Sequence, residues 1–208
     1  MIRVIIIDDH PVVRRGLKQI IAAEQDMQVV GEAENAREAL RVIRRTACDA
    51  VVLDITLPDA SGLDVLSQLK SEHPTLPVLI MSIHDEEHYA LRVLKAGASG
   101  YLMKNSIPEE LIKTIRKITS GGKYINPSLA ERLASEFVSP GKSPHEKLSD
   151  REFQILCLIA SGKSLKEIGA SLCISDKTVS TYRSRVLEKM RMSTNADLTR
   201  YALEHRLI

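Results

Sequence analysis

Three short apolar segments of this chain are each followed at once by charged residues, and this pattern constrains the fold more than any other feature. The segments and their charged residues are Val4–Ile7 with Asp8 and Asp9, Val51–Leu53 with Asp54, and Tyr101–Met103 with Lys104. Apolar runs of this length are typical of strands buried on both faces of a parallel sheet. Because ligands bind beyond the carboxyl ends of such strands, these carboxylates and the lysine are predicted to meet in one site.

The first 125 residues or so alternate between strand and helix patterns. The predicted strands are Arg3–Ile7, Gln28–Ala33, Ala50–Asp54, Val78–Ser82 and Gly100–Met103, and the predicted helices are Val12–Ala23, Ala36–Arg45, Leu63–Ser71, Glu87–Ala96 and Glu109–Ser120. This alternation predicts the α/β class, with a doubly wound (βα)5 architecture and helices on both faces of a parallel sheet.

The rest of the chain has no strand pattern. A helix is predicted over 128–138, and the segment 139–147, rich in proline, glycine and serine, is the best linker candidate. From Leu148 onward four helices are predicted, the first with Ser149 and Glu152 spaced as a capping box. The predicted domains are therefore an α/β domain at 1–125, a helix and linker at 126–147, and a small all-α domain at 148–208.

Composition and charge narrow the class of protein. Hydrophobic residues make up 44% of the chain, but no apolar run approaches the roughly 20 residues that span a bilayer, and no signal-peptide pattern opens it. Three cysteines without metal-ligand spacing are expected to be reduced, as in a cytoplasmic protein. Residues 1–138 carry 17 basic and 19 acidic side chains, whereas 139–208 carry 12 and 8. This asymmetry suggests different partners for the two halves, although ordinary solvated surface would also account for it.

The acidic cluster is suited to phosphoryl chemistry. Carboxylates are hard oxygen ligands of the kind that Mg²⁺ prefers, and Asp54 could attack phosphorus to form an aspartyl phosphate. Lys104 and the Ser82 hydroxyl would meet phosphoryl oxygens. Each residue also has an ordinary interpretation: the paired acids could cap the next helix, Lys104 could be a surface lysine, and Ser82 a turn residue. Their joint placement at strand ends favours the site.

Three segments closely resemble the receiver domains of two-component response regulators: Ile5–His10, Asp54–Gly62 and Gly97–Lys104. The resemblance implies that Asp54 is the phosphoacceptor, and that Ser82 and Tyr101 are switch residues whose positions change on phosphorylation. It also implies that Mg²⁺ is held by Asp8, Asp9, Asp54 and the backbone carbonyl of Thr56. A sensor histidine kinase would dock on the first helix at Val12–Arg15, although these residues could equally be an ordinary helix face.

The third helix of the tail has the composition of a DNA-reading helix. Cations and short hydroxyl side chains alternate along it, at Lys177, Thr178, Ser180, Thr181, Arg183, Ser184, Arg185 and Lys189. Cations suit phosphates and short polar groups suit base edges, although an amphipathic helix with a wet face would look similar. The preceding short helix, Leu165–Leu172, and its tight connection predict a helix-turn-helix.

This tail resembles the LuxR-type helix-turn-helix, and together with the receiver it has the layout of the NarL/FixJ family. The segments that carry the resemblance are Leu148–Glu152, Ile168–Leu172, Ile174–Val179 and Tyr182–Met190. The chain departs from the family at Ser180, where lysine is frequent, and at Tyr182, where histidine is frequent. The last helix, through Leu198, Tyr201 and Ala202, would support a homodimer on DNA or would pack within its own domain.

These observations predict a response regulator that is phosphorylated by a histidine kinase or a small phosphodonor and then binds double-stranded DNA. A DNA-binding regulator that works without phosphorylation is the main alternative. An aspartyl phosphatase or phosphotransferase is a further alternative, but the sequence has no insertion long enough to form a substrate-binding cap. The chain is therefore expected not to be an enzyme and to have no membrane partner.

Overall fold

The computed structural model describes residues 1–82, 87–125, 143–172, 174–205 and 207–208. The chain divides into two compact units, Met1–Leu133 and Ala134–Ile208. The helix predicted over 128–138 lies outside the described residues. Among the residues that are described, no helix combines the length and the apolar character needed to cross a membrane.

The first unit is a five-stranded parallel sheet flanked by helices, as predicted. The strands are β1 (Ile2–Ile7), β2 (Met27–Ala33), β3 (Ala50–Asp54), β4 (Val78–Ser82) and β5 (Gly100–Met103), and the helices are α1 (Pro11–Ala22), α2 (Ala36–Arg45), α3 (Gly62–Glu72), α4 (Glu87–Lys95) and α5 (Pro108–Thr119). The strand order is β2-β1-β3-β4-β5, and all pairs are parallel. The predicted α/β class and (βα)5 order are thus confirmed.

The apolar strand segments form the core of this unit. Val4 to Ile7 of β1 and Val51 to Leu53 of β3 are almost completely buried, and helices cover them from both faces. β1 pairs with β2 on one side and with β3 on the other, so the winding direction reverses at β1. A parallel sheet opens a crevice at such a reversal, beyond the carboxyl ends of the strands. Asp8 and Asp54 lie at this crevice.

Gly62, at the start of α3, is required by a close backbone approach. A Cβ atom there would lie 2.4 Å from the carbonyl oxygen of Asp54 and 2.7 Å from the Cα of Ile55. These are contacts with backbone, which cannot swing aside as a flexible side chain can. Any larger residue would therefore push against the end of β3 at the residue that carries the Asp54 carboxylate.

The second unit is built from helices, as predicted. A 3₁₀ helix (Pro144–Lys147) precedes α6 (Asp150–Ala160), α7 (Leu165–Ser171), α8 (Asp176–Met190) and α9 (Asn195–Glu204). The predicted capping box of Ser149 and Glu152 is present at the start of α6. Similar boxes open α7 and α9, so the short polar residues between the helices fix where each helix begins.

Part of the predicted linker packs into the second unit. His145 is only 8% exposed, and its Nδ1 atom lies 2.8 Å from the hydroxyl oxygen of Tyr201 on α9. Leu198, Tyr201 and Ala202 are all buried, which supports the packing role for this face of α9 rather than the dimer role. Leu203 points outward instead, with 59% of its surface exposed.

Two of the three cysteines can be described. Neither Cys48 nor Cys157 forms a disulfide bond with another described residue, and Cys173 lies outside the described residues.

Candidate functional site

Residues from three strand ends meet in one buried cluster. The Lys104 Nζ atom lies 2.6 Å from Asp8 Oδ2 and 2.7 Å from Asp54 Oδ2. The side chains of Asp8, Asp54 and Lys104 are only 2%, 3% and 8% exposed, so the contact is shielded from water. The backbone N–H of Lys104 donates to the carbonyl oxygen of Ser82 at 2.7 Å, which fixes the chain beyond β5 beside the end of β4.

Asp8 is held in place from several sides. Its backbone N–H donates to the Ala33 carbonyl at 3.1 Å, and its Oδ1 accepts the backbone N–H of His10 at 2.8 Å. The Arg14 guanidinium donates to the Asp8 carbonyl oxygen at 2.6 Å, and the Arg14 side chain is only 16% exposed. Arg14 is therefore tied to the acidic site, while Val12, two residues earlier in α1, is 84% exposed.

The buried cluster contains two carboxylates, those of Asp8 and Asp54, and one ammonium group, that of Lys104. Burial raises the pKa of Asp54 to about 6, although the charge and hydrogen bond of Lys104 work against that rise. Burial would lower the pKa of Lys104, but the charges and hydrogen bonds of Asp54 and Asp8 outweigh it and raise the pKa. One ammonium thus serves two buried carboxylates, and a further cation would stabilise the ionised form of both.

The donor set fits a divalent metal ion. Asp8, Asp9, His10 and Asp54 each offer one ligand atom, and these atoms lie within 4.8 Å of one another. The Asp9 Oδ1 atom is buried and has no hydrogen-bond partner among the described residues, although it lies 2.5 Å from the His10 Nδ1 atom. Carboxylate oxygens are the ligands that Mg²⁺ prefers, and nitrogen is less suited to it. The sequence had given His10 no role.

Three more predicted residues lie around this cluster. The backbone N–H of Thr56 donates to Asp54 Oδ1 at 3.1 Å, which places Thr56 directly beside the phosphoacceptor candidate. Ser82 is completely buried at the end of β4. Tyr101 lies on the adjacent strand β5, opposite Ile80, and is only 6% exposed, so its ring is inside the unit.

In the second unit, helix α8 presents the predicted mixture of cations and hydroxyl groups. Val179, Val186 and Met190 are buried and form its inner face. Its exposed face carries Lys177, Thr181, Ser184, Arg185 and Glu188. The hydroxyls of Thr181 and Ser184 donate to carbonyl oxygens one turn earlier in the helix, at 3.0 and 3.1 Å. Thr178, nearer the start, donates its backbone N–H to the capping Ser175 side chain, and Ser180 is partly exposed.

Two of the predicted DNA-binding cations are engaged within their own unit. Lys189 Nζ lies 2.6 Å from Glu152 Oε2, and this carboxylate is only 3% exposed. The Arg183 guanidinium donates to Asn195 Oδ1 at 2.5 Å, at the start of α9. These contacts hold α8 against α6 and α9. The Arg185 guanidinium, by contrast, lies 5.8 Å from the centre of the Tyr182 ring on the same helix.

Family models match both units of the chain. Residues 4–116 match the response regulator receiver domain. Residues 146–202 match the bacterial regulatory proteins of the luxR family. The first match covers the acid–lysine cluster, and the second covers α6, α7, α8 and most of α9.

The chain belongs to the response regulators with a LuxR-type DNA-binding domain. Relatives match this response regulator along its whole length. It is 36% identical to the response regulator GacA of Pseudomonas viridiflava over 210 residues, covering all of this chain and 98% of that protein. It is 34% identical to the response regulator UvrY of Escherichia coli K12 over 209 residues, covering all of this chain and 96% of that protein.

Solved structures are similar to this response regulator as well. The response regulator ChrA of a heme-sensing two-component system is 33% identical, with a TM-score of 0.54 and coverage of 100% of this chain and 98% of that one. RcsB of Salmonella enterica serovar Typhimurium, bound to the promoter P1flhDC in the presence of the phosphomimetic BeF3⁻, is 25% identical. The TM-score is 0.64, with coverage of 96% of this chain and 97% of that one. This response regulator is accordingly a DNA-binding regulator of transcription within a two-component system.

Proposed function

We propose that Asp54 accepts a phosphoryl group from a cognate sensor histidine kinase, and that the phosphorylated chain then binds double-stranded DNA as a homodimer. The observation that carries this proposal is the buried contact of Asp54 with Lys104, in a site that brings Asp8 and Asp9 to the same point. A carboxylate that served only as a solvated surface group would not be buried beside a lysine and two further acids.

The residues of the cluster divide the chemistry between them. The Asp54 carboxylate attacks phosphorus, and as its O–P bond forms, the P–N bond to the phosphorylated histidine of the kinase breaks and the imidazole leaves; with acetyl phosphate, a P–O bond breaks and acetate leaves. Lys104 pairs with one phosphoryl oxygen and the Ser82 hydroxyl donates to another, so the charge of the phosphoryl group stays neutralised in a buried site. Asp8, Asp9, Asp54 and the Thr56 carbonyl would hold Mg²⁺, whose charge would offset that of the acids and the incoming phosphoryl group.

Ser82 and Tyr101 are the proposed switch residues. Both are buried, on neighbouring strands that lead to the cluster. When the Ser82 hydroxyl turns toward the phosphoryl group, space opens beside it, and the Tyr101 ring occupies that space. A charge change at Asp54 would thereby alter the packing between β4 and β5 and the surface that they support.

The second domain supplies the DNA contact. The proposed contacts are Lys177, Thr178, Ser180, Thr181, Arg183, Ser184, Arg185 and Lys189, with the cations meeting phosphates and the hydroxyls near base edges. Because Arg183 and Lys189 are engaged by Asn195 and Glu152, their larger role is to hold the helix in place. The promoter complex of the relative RcsB supports a DNA partner.

The proposal also includes the domain bounds and the cellular location of the protein. The receiver domain spans 1–125 and the DNA-binding domain 148–208, joined by 126–147, of which Pro144–Lys147 pack on the second domain. The protein acts in the cytoplasm of a bacterium, without a membrane partner. It is a regulator rather than an enzyme, since phosphorylation changes its own state and no substrate is turned over.

Phosphorylation can be tested by incubating the chain with acetyl phosphate, with and without Mg²⁺, and measuring its intact mass. We expect one phosphoryl group that requires Mg²⁺ and is absent in Asp54→Asn. Asp59→Asn is the matched control, since Asp59 lies in the following loop and its carboxylate accepts the backbone N–H of Ala36 at the start of α2. Full labelling of Asp54→Asn would refute the site. Absence of labelling under every condition would favour a regulator that works without phosphorylation.

A further inference from the structure

Arg191 has an unusual backbone conformation at the end of the DNA-binding helix. Among the residues that the structure describes, it is the only one other than glycine with a positive φ, at φ 55° and ψ 43°. It directly follows Met190, the last residue of α8. The Met192 N–H donates to the Leu187 carbonyl at 2.9 Å, and the Arg191 N–H to the Glu188 carbonyl at 3.1 Å. Helix ends with this bonding pattern usually have glycine or asparagine at the left-handed position.

Nothing within the described part of the domain offsets the cost of arginine at this position. The guanidinium is exposed and forms no hydrogen bond or ion pair with any described residue. The nearby carboxylate of Asp197 is already bonded to Thr194 and paired with Arg200 at 3.2 Å. A side chain retained in a strained conformation without a partner in the folded chain points to a role outside that chain.

The position of Arg191 indicates what that partner would be. Lys177 and Ser184 are spaced seven residues apart, or nearly two full turns, so they lie on about the same side of α8, and Arg191 follows seven residues later, directly after the end of the helix. Fourteen residues of α-helix rise about 21 Å. Exposed Lys177 therefore stands at one end of this face and Arg191 at the other, with the hydroxyls of Thr181 and Ser184 between them.

A helix of this length is longer than the major groove is wide, at about 12 Å, so when it lies across the groove its two ends reach the phosphate backbones on either side. We propose that Arg191 contacts a DNA phosphate and, with Lys177, anchors the two ends of the reading face on opposite strands. The proposal rests on the DNA-binding function proposed for α8. Glu188, on the same face, would be repelled by phosphate, and the Arg191 cation beside it offsets that repulsion.

The test is the salt dependence of binding by the full chain to a short labelled duplex of mixed sequence, in which phosphate contacts dominate affinity. Arg191→Gly and Arg191→Asn both remove the charge while remaining compatible with the left-handed backbone. For both we expect the slope of log K against log salt to become shallower by about 0.9, the contribution of one phosphate contact, and affinity to fall several-fold. Arg191→Lys keeps the charge and should keep most of the slope.

A second readout separates this role from a structural one. Arg191→Gly relieves the backbone strain, so the melting temperature of the second domain should rise by several degrees even though binding weakens. If Arg191 had a purely structural role, Arg191→Gly would lower both the melting temperature and the DNA affinity, and that result would overturn the proposal. Lys18→Gln controls for the general loss of one positive charge and should leave the slope nearly unchanged, because Lys18 belongs to the receiver domain and pairs with Glu32.

Comparison with Lys177→Ala separates a failure of the Arg191 contact from a failure of the DNA-binding role proposed for α8. If Lys177→Ala flattens the slope while Arg191→Asn matches the parent chain, the Arg191 contact is refuted and the recognition helix stands. If both variants bind as the parent chain does, the assignment of α8 as the DNA-reading helix fails as well.

Discussion

The receiver site and the proposed DNA-reading face of α8 hold their charges in opposite ways. At the receiver site, Asp8, Asp54 and Lys104 are buried and bonded to one another, so each side chain has one position. On α8, Lys177 and Arg185 are exposed and make no ion pair within the described part of the chain. The roles of buried groups are thus fixed by their neighbours inside the fold, whereas the exposed groups acquire theirs when a partner arrives.

The largest expected effect tests the buried side of this comparison. Lys104→Ala leaves two buried carboxylates without their cation, which should lower the free energy of unfolding of the receiver domain by about 3 kcal/mol in Mg²⁺-free buffer. The measurement is urea denaturation. Lys18→Ala is the matched control, because Lys18 pairs with Glu32 at the surface and should cost about 1 kcal/mol or less.

A double variant sharpens the same test. Adding Asp54→Asn to Lys104→Ala removes one of the stranded charges, so the two changes together should cost clearly less than their sum. Equal costs for Lys104→Ala and Lys18→Ala, or simple additivity in the double variant, would show that the cluster is not electrostatically coupled.

A smaller effect is expected at Glu152, where the second domain has its own buried charge. Burial works to raise the pKa of Glu152, but hydrogen bonds from Lys189 and Ser149 outweigh it and hold the pKa below its usual value. Glu152→Gln should therefore lower the free energy of unfolding by about 1–3 kcal/mol at neutral pH. Thermal or urea unfolding of the full chain would measure it.

The pH dependence of that loss follows from the sign of the shift. Because the folded-state pKa is the lower one, the stabilisation is complete above the unfolded-state value of about 4.3 and is lost as pH falls through the folded-state value. The difference between Glu152→Gln and the parent chain should accordingly shrink below about pH 4.3. A difference that stays constant across this range would exclude the charged pair as its source.

The smallest expected effects separate cations that face DNA from cations that face their own domain. Lys177→Ala should flatten the salt dependence of DNA binding by about one phosphate contact, with little change in stability. Lys189→Ala should do the reverse, destabilising the domain while leaving most of the salt slope, because Glu152 already holds the Lys189 ammonium. Identical salt slopes for these two variants would remove the distinction.

The difference between buried strand ends and long surface side chains also explains which features could be predicted from the sequence. The meeting of Asp8, Asp54 and Lys104 was predictable because the carboxyl ends of parallel strands share one edge of the sheet, whatever the helices do. The five strands and their order of alternation followed from apolar runs and turn residues. These features depend on local pattern and on a general rule of topology.

Side-chain contacts between elements that lie far apart in the sequence were not predictable. The bond from Arg14 to the Asp8 carbonyl, the packing of His145 against Tyr201 and the pairing of Lys189 with Glu152 join residues whose spacing carries no periodic signal. Lys189 had the sequence character of a DNA-binding cation, and only the position of α6 beside it reveals an internal partner. A left-handed Arg191 likewise has no signature in the sequence.

Phosphorylation of Asp54 is proposed to change DNA binding by α8, and one measurement addresses this coupling directly. The affinity of the full chain for a duplex selected from a random-sequence pool would be measured before and after phosphorylation with acetyl phosphate and Mg²⁺, in the parent chain and in Asp54→Asn. We expect phosphorylation to tighten binding about tenfold, a typical coupling between two sites, and to have no effect on the variant. Equal affinity of the labelled and unlabelled parent chain, with labelling verified by intact mass, would contradict the coupling between the two domains.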